Sequence, residues 1–152
     1  KVQKMKRHVW LSVILFILMT ACSDTFIYQK SLSQFSERFA KANSDEDMDA
    51  MLSLYATEGL KERDLAILKT ALSFEIGLPI QSLSFQELSG APEESIAYEH
   101  ESIEYKASLA PKLRMLVTYA DKGQLRSKFS IGRNSKKEWK IITAIPKNKK
   151  QD

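Results

Sequence analysis

Apolar residues recur at steps of three and four in the first half of this chain and at steps of two in the second half. Tyr28, Leu32, Phe35, Phe39 and Ala42 fall on one face of a helix, which Asn43 and Ser44 interrupt. Ser44, with Asp47 three places later, reads as the N-cap of a second helix. Asp45, Glu46 and Asp47 suit the positive end of its dipole. Met48, Met51, Leu52 and Tyr55 form its buried stripe, and Gly59 is its expected end. Leu65, Leu68, Leu72 and Ile76 mark a third amphipathic helix, stopped by Gly77 and Pro79.

The period then drops to two, near Leu83 and Phe85 and, after the loop Ser89-Gly90-Ala91-Pro92, from Ser95 to Ser108. Leu113, Met115, Val117 and Tyr119 alternate with Arg114, Leu116 and Thr118. Leu125, Ser127, Phe129 and Ile131 alternate with Arg126, Lys128 and Ser130 beyond the turn Asp121-Lys122-Gly123. Trp139, Ile141, Thr143 and Ile145 predict one final strand. Helices first and antiparallel strands afterwards indicate an α+β domain, with the helices packed on one face of a curved sheet.

A different kind of segment precedes these elements. Lys6 and Arg7 are followed by an apolar run from Val9 to Met19, then by Thr20, Ala21 and the sole cysteine, Cys22. The run is about half the roughly 20 residues a membrane span needs. The segment resembles a bacterial lipoprotein signal peptide, with Met19 where leucine is commoner. That resemblance implies cleavage between Ala21 and Cys22 and acylation of Cys22 by fatty acids such as palmitate, so the lipid bilayer is the first expected partner. Ser23 after the cysteine implies the outer membrane, facing the periplasm. The expected organisation is a signal peptide over 1–21, a lipidated tether over 22–25, a domain over 26–146 and a disordered basic tail over 147–152. Residues 1–4 precede Met5-Lys6-Arg7, which looks like the natural start.

Cleavage changes the charge balance. The whole chain carries +4, but Lys1, Lys4, Lys6 and Arg7 lie in the leader, so the rest is neutral. Its charges are segregated: residues 22–104 hold 16 acidic and 6 basic side chains, and residues 105–152 hold 3 and 13. Attraction between acidic helices and a basic sheet within one domain accounts for this pattern, at modest gain per exposed pair, and so does a dipole that orients the domain against an anionic surface.

Phe35-Ser36-Glu37-Arg38-Phe39-Ala40-Lys41-Ala42-Asn43, followed by Asp47-Met48-Asp49-Ala50-Met51-Leu52-Ser53-Leu54-Tyr55, resembles the opening of nuclear transport factor 2-like domains, among them SnoaL-like proteins. The ending Glu138-Trp139-Lys140-Ile141-Ile142 does so too. The resemblance implies a sheet wrapped around a helix into a cone. A cystatin-like helix-on-sheet domain fits the same pattern. Members of the resembled family use the cone for isomerase or dehydratase chemistry, for small-molecule binding or for protein contacts, and fold alone does not choose among these.

An enzyme would need an acid or base inside the cone. His100 is the one histidine after the leader, and with Tyr98 and Tyr55 it forms the candidate catalytic set of an isomerase, dehydratase or hydrolase. The competing reading makes Tyr98 to Glu101 an exposed strand with charged neighbours. No metal or cofactor is expected. Asp45-Glu46-Asp47-Asp49 lacks the glycine and terminal glutamate of a calcium loop, and there is no glycine-rich phosphate loop or Gly-x-Ser-x-Gly elbow.

Arg114, Arg126, Lys128 and Lys140 alternate with the apolar strand positions, so adjacent strands can align them into a basic face near Lys136, Lys137 and the Lys147, Lys149, Lys150 tail. Such a face suits an envelope protein or an anionic envelope polymer, and nucleic acid is not an expected partner outside the cytoplasm. It also suits a plain solvated sheet surface. The leading expectation is a non-enzymatic envelope lipoprotein that binds through its cavity or its basic face. The rivals are the His100 enzyme and a binder of apolar small molecules.

Overall fold

The computed structural model describes residues 27–120, 123 and 125–147. The leader, Cys22, the tether, Asp121 and Lys122 of the turn, and Lys149 and Lys150 lie outside them. The chain divides into two compact units, residues 1–34 and 35–152. In the first, residues 27–34 are helical, and the Ser31 hydroxyl donates to the Tyr28 carbonyl at 2.7 Å. The second is an α+β unit of helices and antiparallel sheets.

Helix α1 covers 27–44, and within the second unit its Phe35, Phe39 and Ala42 are buried. The Phe39 ring packs on Phe129 with centroids 6.0 Å apart, which sets residues 35–44 of this helix against a sheet. Helix α2 is Met48–Ser53. Its N-cap is Asp47 and not Ser44: the Asp47 carboxylate accepts the Ala50 N–H at 2.9 Å, while Ser44 bonds back to the Lys41 carbonyl.

α2 also ends before the expected Gly59. The Ala56 N–H donates to the Ile141 carbonyl and the Ile141 N–H to the Leu54 carbonyl, both at 2.8 Å. The sheet edge captures the backbone that a longer helix would have used. Helix α3 follows over Glu62–Leu72, with Leu72 buried and Leu65 and Leu68 half-buried.

The strands are β1 (Ile80–Glu87), β2 (Tyr98–His100), β3 (Ile103–Ala107), β4 (Leu113–Tyr119), β5 (Arg126–Arg133), β6 (Trp139–Ile141) and β7 (Ala144–Pro146). One sheet has the order β1-β4-β5-β6 and the other β2-β3-β7. Two single strands expected from the sequence are each broken. The Ser95–Ser108 stretch becomes a hairpin because Glu101 and Ser102 both adopt left-handed backbone, with φ of 50° and 61°. Paired positive φ values make a two-residue hairpin turn, but Glu-Ser lacks the Asn-Gly signature that announces one.

The last strand breaks at Ile142 and Thr143. The Ile142 N–H donates to Ser130 of the first sheet, whereas the Thr143 carbonyl accepts from Ser108 beside the second. This corner lets one segment serve both sheets.

Burial along β4 alternates without exception: Leu113, Met115, Val117 and Tyr119 are buried, and Arg114, Leu116 and Thr118 are half-buried. With Phe35, Phe39, Leu54, Ile131, Trp139 and Ile141 they make the core. Gly132 is required where it stands, since a Cβ there would lie 2.5 Å from the Ala110 carbonyl oxygen. Among the described residues, no helix is long and apolar enough to cross a membrane.

Candidate functional site on the inner sheet face

Pairing of Val117 with Ser127 and of Met115 with Phe129 puts these residues and Tyr119 on the inner face of the four-stranded sheet. Above the Tyr119 end lies the turn after α3, which carries Glu75. Its hydrogen bonds hold that turn closely: Glu75 and Ile76 N–H groups donate to the Leu72 carbonyl, Gly77 N–H to the Asn43 carbonyl, and the Asn43 side chain to the Leu78 carbonyl. Gly77 has φ +83°, and a Cβ there would press on the Glu46 side chain at 3.1 Å. Glycine therefore lets the chain reverse here without strain.

The turn aims Glu75 at the sheet. The Tyr119 hydroxyl donates to one carboxylate oxygen at 3.0 Å, and the Ser127 hydroxyl donates to the other at 2.8 Å. Burial, and then the charge of Glu75, raise the Tyr119 phenol well above its ordinary range, so it stays a neutral donor. The Tyr55 phenol is raised further, chiefly by burial, with Glu75 and Tyr119 adding to it. Tyr55 is 6 % exposed, and its hydroxyl has no hydrogen-bond partner among the described residues. Its ring meets Phe129 edge-on, with centroids 6.4 Å apart and planes at 88°.

Chemically, this is a carboxylate that two neutral hydroxyls hold in place while its further lone pairs stay available. The Phe129 ring, two residues along β5 from Ser127, meets both the buried Phe39 ring and the buried Tyr55 ring. Glu75, Ser127 and Phe129 are only half-buried, so the cluster opens toward solvent on that side.

The three residues expected to converge do not. Tyr55 lies in this inner cluster, whereas Tyr98 and His100 occupy β2, every residue of which is exposed. Tyr98 stacks on Tyr105 at 5.0 Å. His100 Nε2 is 3.8 Å from Glu101, and both side chains are about two-thirds exposed, at 69 % and 67 %. In β2, alternation buries neither side of the strand. The base of the isomerase reading therefore stands on an open surface.

The basic residues do share one face. Arg114 is opposite Ser130, Lys128 opposite Leu116, Arg126 opposite Thr118 and Lys140 opposite Gly132, all on the outer side of the same sheet. Two of the four are already engaged. Arg114 donates to Ser130 at 2.9 Å and lies near the Glu94 carboxylate, and Lys140 donates to the Ser53 carbonyl at 2.6 Å. Arg126 and Lys128 are exposed.

Glu94 stems from a short 3-10 helix, Pro92–Ser95, and accepts the backbone N–H groups of Ser89 and Gly90. These bonds hold its carboxyl below the usual range. Lys147 pairs with Glu104 at 2.7 Å and so links the acidic and basic halves. The acidic run at the start of α2 is spoken for by Lys41 to Asp45 and by the Asp47 cap. Among the described residues, no three His, Cys, Asp or Glu side chains cluster as metal ligands do.

Sequence reasoning missed Glu75, Tyr119 and Ser127. One signal pointed to them. Ser127 is a polar residue at an inward strand position between Leu125 and Phe129, and Tyr119 ends an inward row, so both needed a partner from the helical layer. No family model matches the chain, and no curated protein matches it either.

Proposed function

We propose that this chain is a lipid-anchored binding module that faces the periplasm from the outer membrane and receives a small ligand on its inner sheet face. Acylated Cys22 ties it to the bilayer, and the domain is a nuclear transport factor 2-like cone whose mouth is the Glu75 cluster. The observation that carries the reading is the pairing of a half-buried carboxylate, already fixed by Tyr119 and Ser127, with the unpartnered and buried hydroxyl of Tyr55. A buried polar group without a partner costs about 1–3 kcal/mol, which a ligand group bonded to it recovers.

The chemistry favours a ligand with a cationic or donor group for Glu75 and an apolar body for the half-buried ring of Phe129. An organic ammonium meets both demands through charge and ring faces. The module works by binding and not by catalysis, since His100 is on the open hairpin. Exposed Arg126 and Lys128 favour a second reading, in which the outer face meets an envelope protein or an anionic envelope polymer.

Pull-down from detergent-solubilised envelopes separates the two. The expected result is that Glu75→Gln alters recovery of bound material while Arg126→Glu/Lys128→Glu does not; the reverse would move the function to the outer face. Cys22→Ala is expected to leave the domain folded and release it from membranes. Persistent membrane association of that variant would remove the anchor from this account.

A further inference from the structure

The loop that leads into α3 and the three-stranded sheet border a groove whose two ends are chemically opposite. Gly59 lies over Ile145 of β7, whose Cδ1 is 3.7 Å from where a Cβ at position 59 would stand. Lys61, Lys106 and Lys147 line this end beside Ile145, around an open hollow of about 510 Å³ whose walls include no carboxylate. An adjoining hollow of about 710 Å³ shares Lys61 and Lys147 with the first and adds Glu99 and Glu104. Glu58 and Glu62 adjoin Gly59 and Lys61 in sequence but line neither hollow.

Strand register explains the division. Glu99 is opposite Glu104, and the Lys147 N–H donates to the Glu104 carbonyl, so the three stand in one row from β2 across β3 to the end of β7. Lys106 is opposite Ile145, and alternation puts it on the same side of β3 as Glu104. Like charges directly opposite each other destabilise a strand pair, and Lys147 bonds only one of the two carboxylates, Glu104, at 2.7 Å. Among the described residues, Lys61 and Lys106 at the basic end and Glu99 at the acidic end make no ion pair.

We propose that this groove binds a zwitterionic headgroup that carries a phosphate and a primary ammonium, of the phosphoethanolamine type. The phosphate lies among Lys61, Lys106 and Lys147, and the ammonium, with three N–H donors, meets Glu99 and Glu104. A simple anion would leave the carboxylates unmatched, and a simple cation would leave the lysines so; a ligand with both charges satisfies the two ends together. The charged walls are exposed and screened by salt, so the affinity is modest, with a Kd of about 1 mM. The groove shares no residue with the Glu75 cluster, and its occupation needs neither that cluster nor the lipid anchor.

Titration of O-phosphoethanolamine into the isotope-labelled full chain in a nonionic detergent, followed by NMR, tests the pairing of charges. Saturable shifts are expected at the Lys61, Lys106 and Glu99 amides, with Tyr119 and Ser127 unmoved. Inorganic phosphate and ethanolamine, each added alone, should bind about tenfold more weakly. Lys61→Ala/Lys106→Ala and Glu99→Gln should each weaken phosphoethanolamine by about fivefold, while Arg126→Ala/Lys128→Ala, with the same loss of charge on the other sheet, leaves it unchanged. All these positions are exposed, so the variants should keep the wild-type thermal midpoint.

Doping the micelles with phosphatidylethanolamine, or with phosphatidylcholine, whose quaternary ammonium has no N–H to donate, separates the two sources of such a headgroup. The same shifts with phosphatidylethanolamine alone assign the groove to a membrane lipid; no shift with either lipid, while phosphoethanolamine still binds, assigns it to a soluble molecule. Phosphate bound as tightly as phosphoethanolamine would overturn the proposal, as would an affinity indifferent to Lys61→Ala/Lys106→Ala or to Glu99→Gln. No saturation by about 10 mM phosphoethanolamine would overturn it as well.

Discussion

Two pairs of tyrosines in this chain meet opposite fates. Tyr55 and Tyr119 lie on the inner face of the four-stranded sheet, 6 % and 1 % exposed, and their phenols are held neutral by burial near Glu75. Tyr98 and Tyr105 stack on each other on the β2–β3 hairpin, where Tyr98 is 51 % exposed. Both pairs sit in or beside strands with alternating patterns. The difference is the layer above: Phe39 packs on the Phe129 ring beside Tyr55 and the turn after α3 bonds Tyr119, whereas Tyr98 is left half exposed. Burial near Glu75 raises both inner phenols strongly, whereas the Tyr98 phenol is raised less, by its smaller burial and then by Tyr105 and Asp64.

The largest expected effect comes from removing that layer. Phe39→Ala takes away a buried ring against Phe129 and is expected to cost about 3–5 kcal/mol, whereas Tyr98→Ala on the hairpin should cost less than about 1 kcal/mol. Chemical denaturation of both variants measures the contrast, and equal losses would erase it.

Next in size is Glu75→Ala, which strips the acceptor from two hydroxyls at once. It is expected to cost about 1–3 kcal/mol for the unsatisfied groups. Adding Tyr119→Phe should recover part of that loss, because the orphaned donor is then gone. A double-mutant cycle by denaturation reads the coupling.

A smaller effect follows from pH. The raised phenols of Tyr55 and Tyr119 ionise in the unfolded chain at the ordinary value of about 10 but resist ionisation in the folded one. Their contribution is complete below pH of about 10 and is lost as pH rises toward the folded values. Thermal midpoints should therefore fall above about pH 10 in the wild type, and less steeply in Tyr55→Phe. A Tyr98→Phe change should flatten that slope less than Tyr55→Phe does, because the Tyr98 phenol is raised more weakly.

The smallest effect concerns Glu94, whose carboxyl is depressed mainly by the backbone N–H of Ser89. Its stabilisation is present above the ordinary carboxylate range and disappears as pH falls through its lowered value. Glu94→Gln should flatten the acid limb of the stability curve slightly, and amide exchange at Gly90 would report it locally.

Much of the fold was legible in the sequence, because periodicity reports which side of an element is covered. The three helical stripes, the alternation in β4 and β5, and the shared face of Arg114, Arg126, Lys128 and Lys140 all follow from spacing. Where tertiary contacts compete with local pattern, spacing misled. The edge of β6 ended α2 early, Glu101 and Ser102 folded a presumed strand into a hairpin, and Thr143 turned the last strand into a corner.

The inner cluster was the least legible feature. Glu75 is 44 residues from Tyr119 and 52 from Ser127, and only the turn fixed by Asn43 and Gly77 brings them together. Tyr55 had been singled out, but beside partners that belong to the exposed hairpin.

The most direct test of the account asks whether the inner face admits a ligand at Glu75. Benzylamine, an ammonium with an aromatic body, is titrated into the isotope-labelled chain while the resonances of Tyr55, Tyr119, Ser127 and Glu75 are followed by NMR. The account predicts saturable shifts at these residues, with Tyr98 and His100 unmoved, and a loss of binding of at least tenfold in Glu75→Gln. Shifts confined to the hairpin, or binding equally strong in Glu75→Gln, would contradict it.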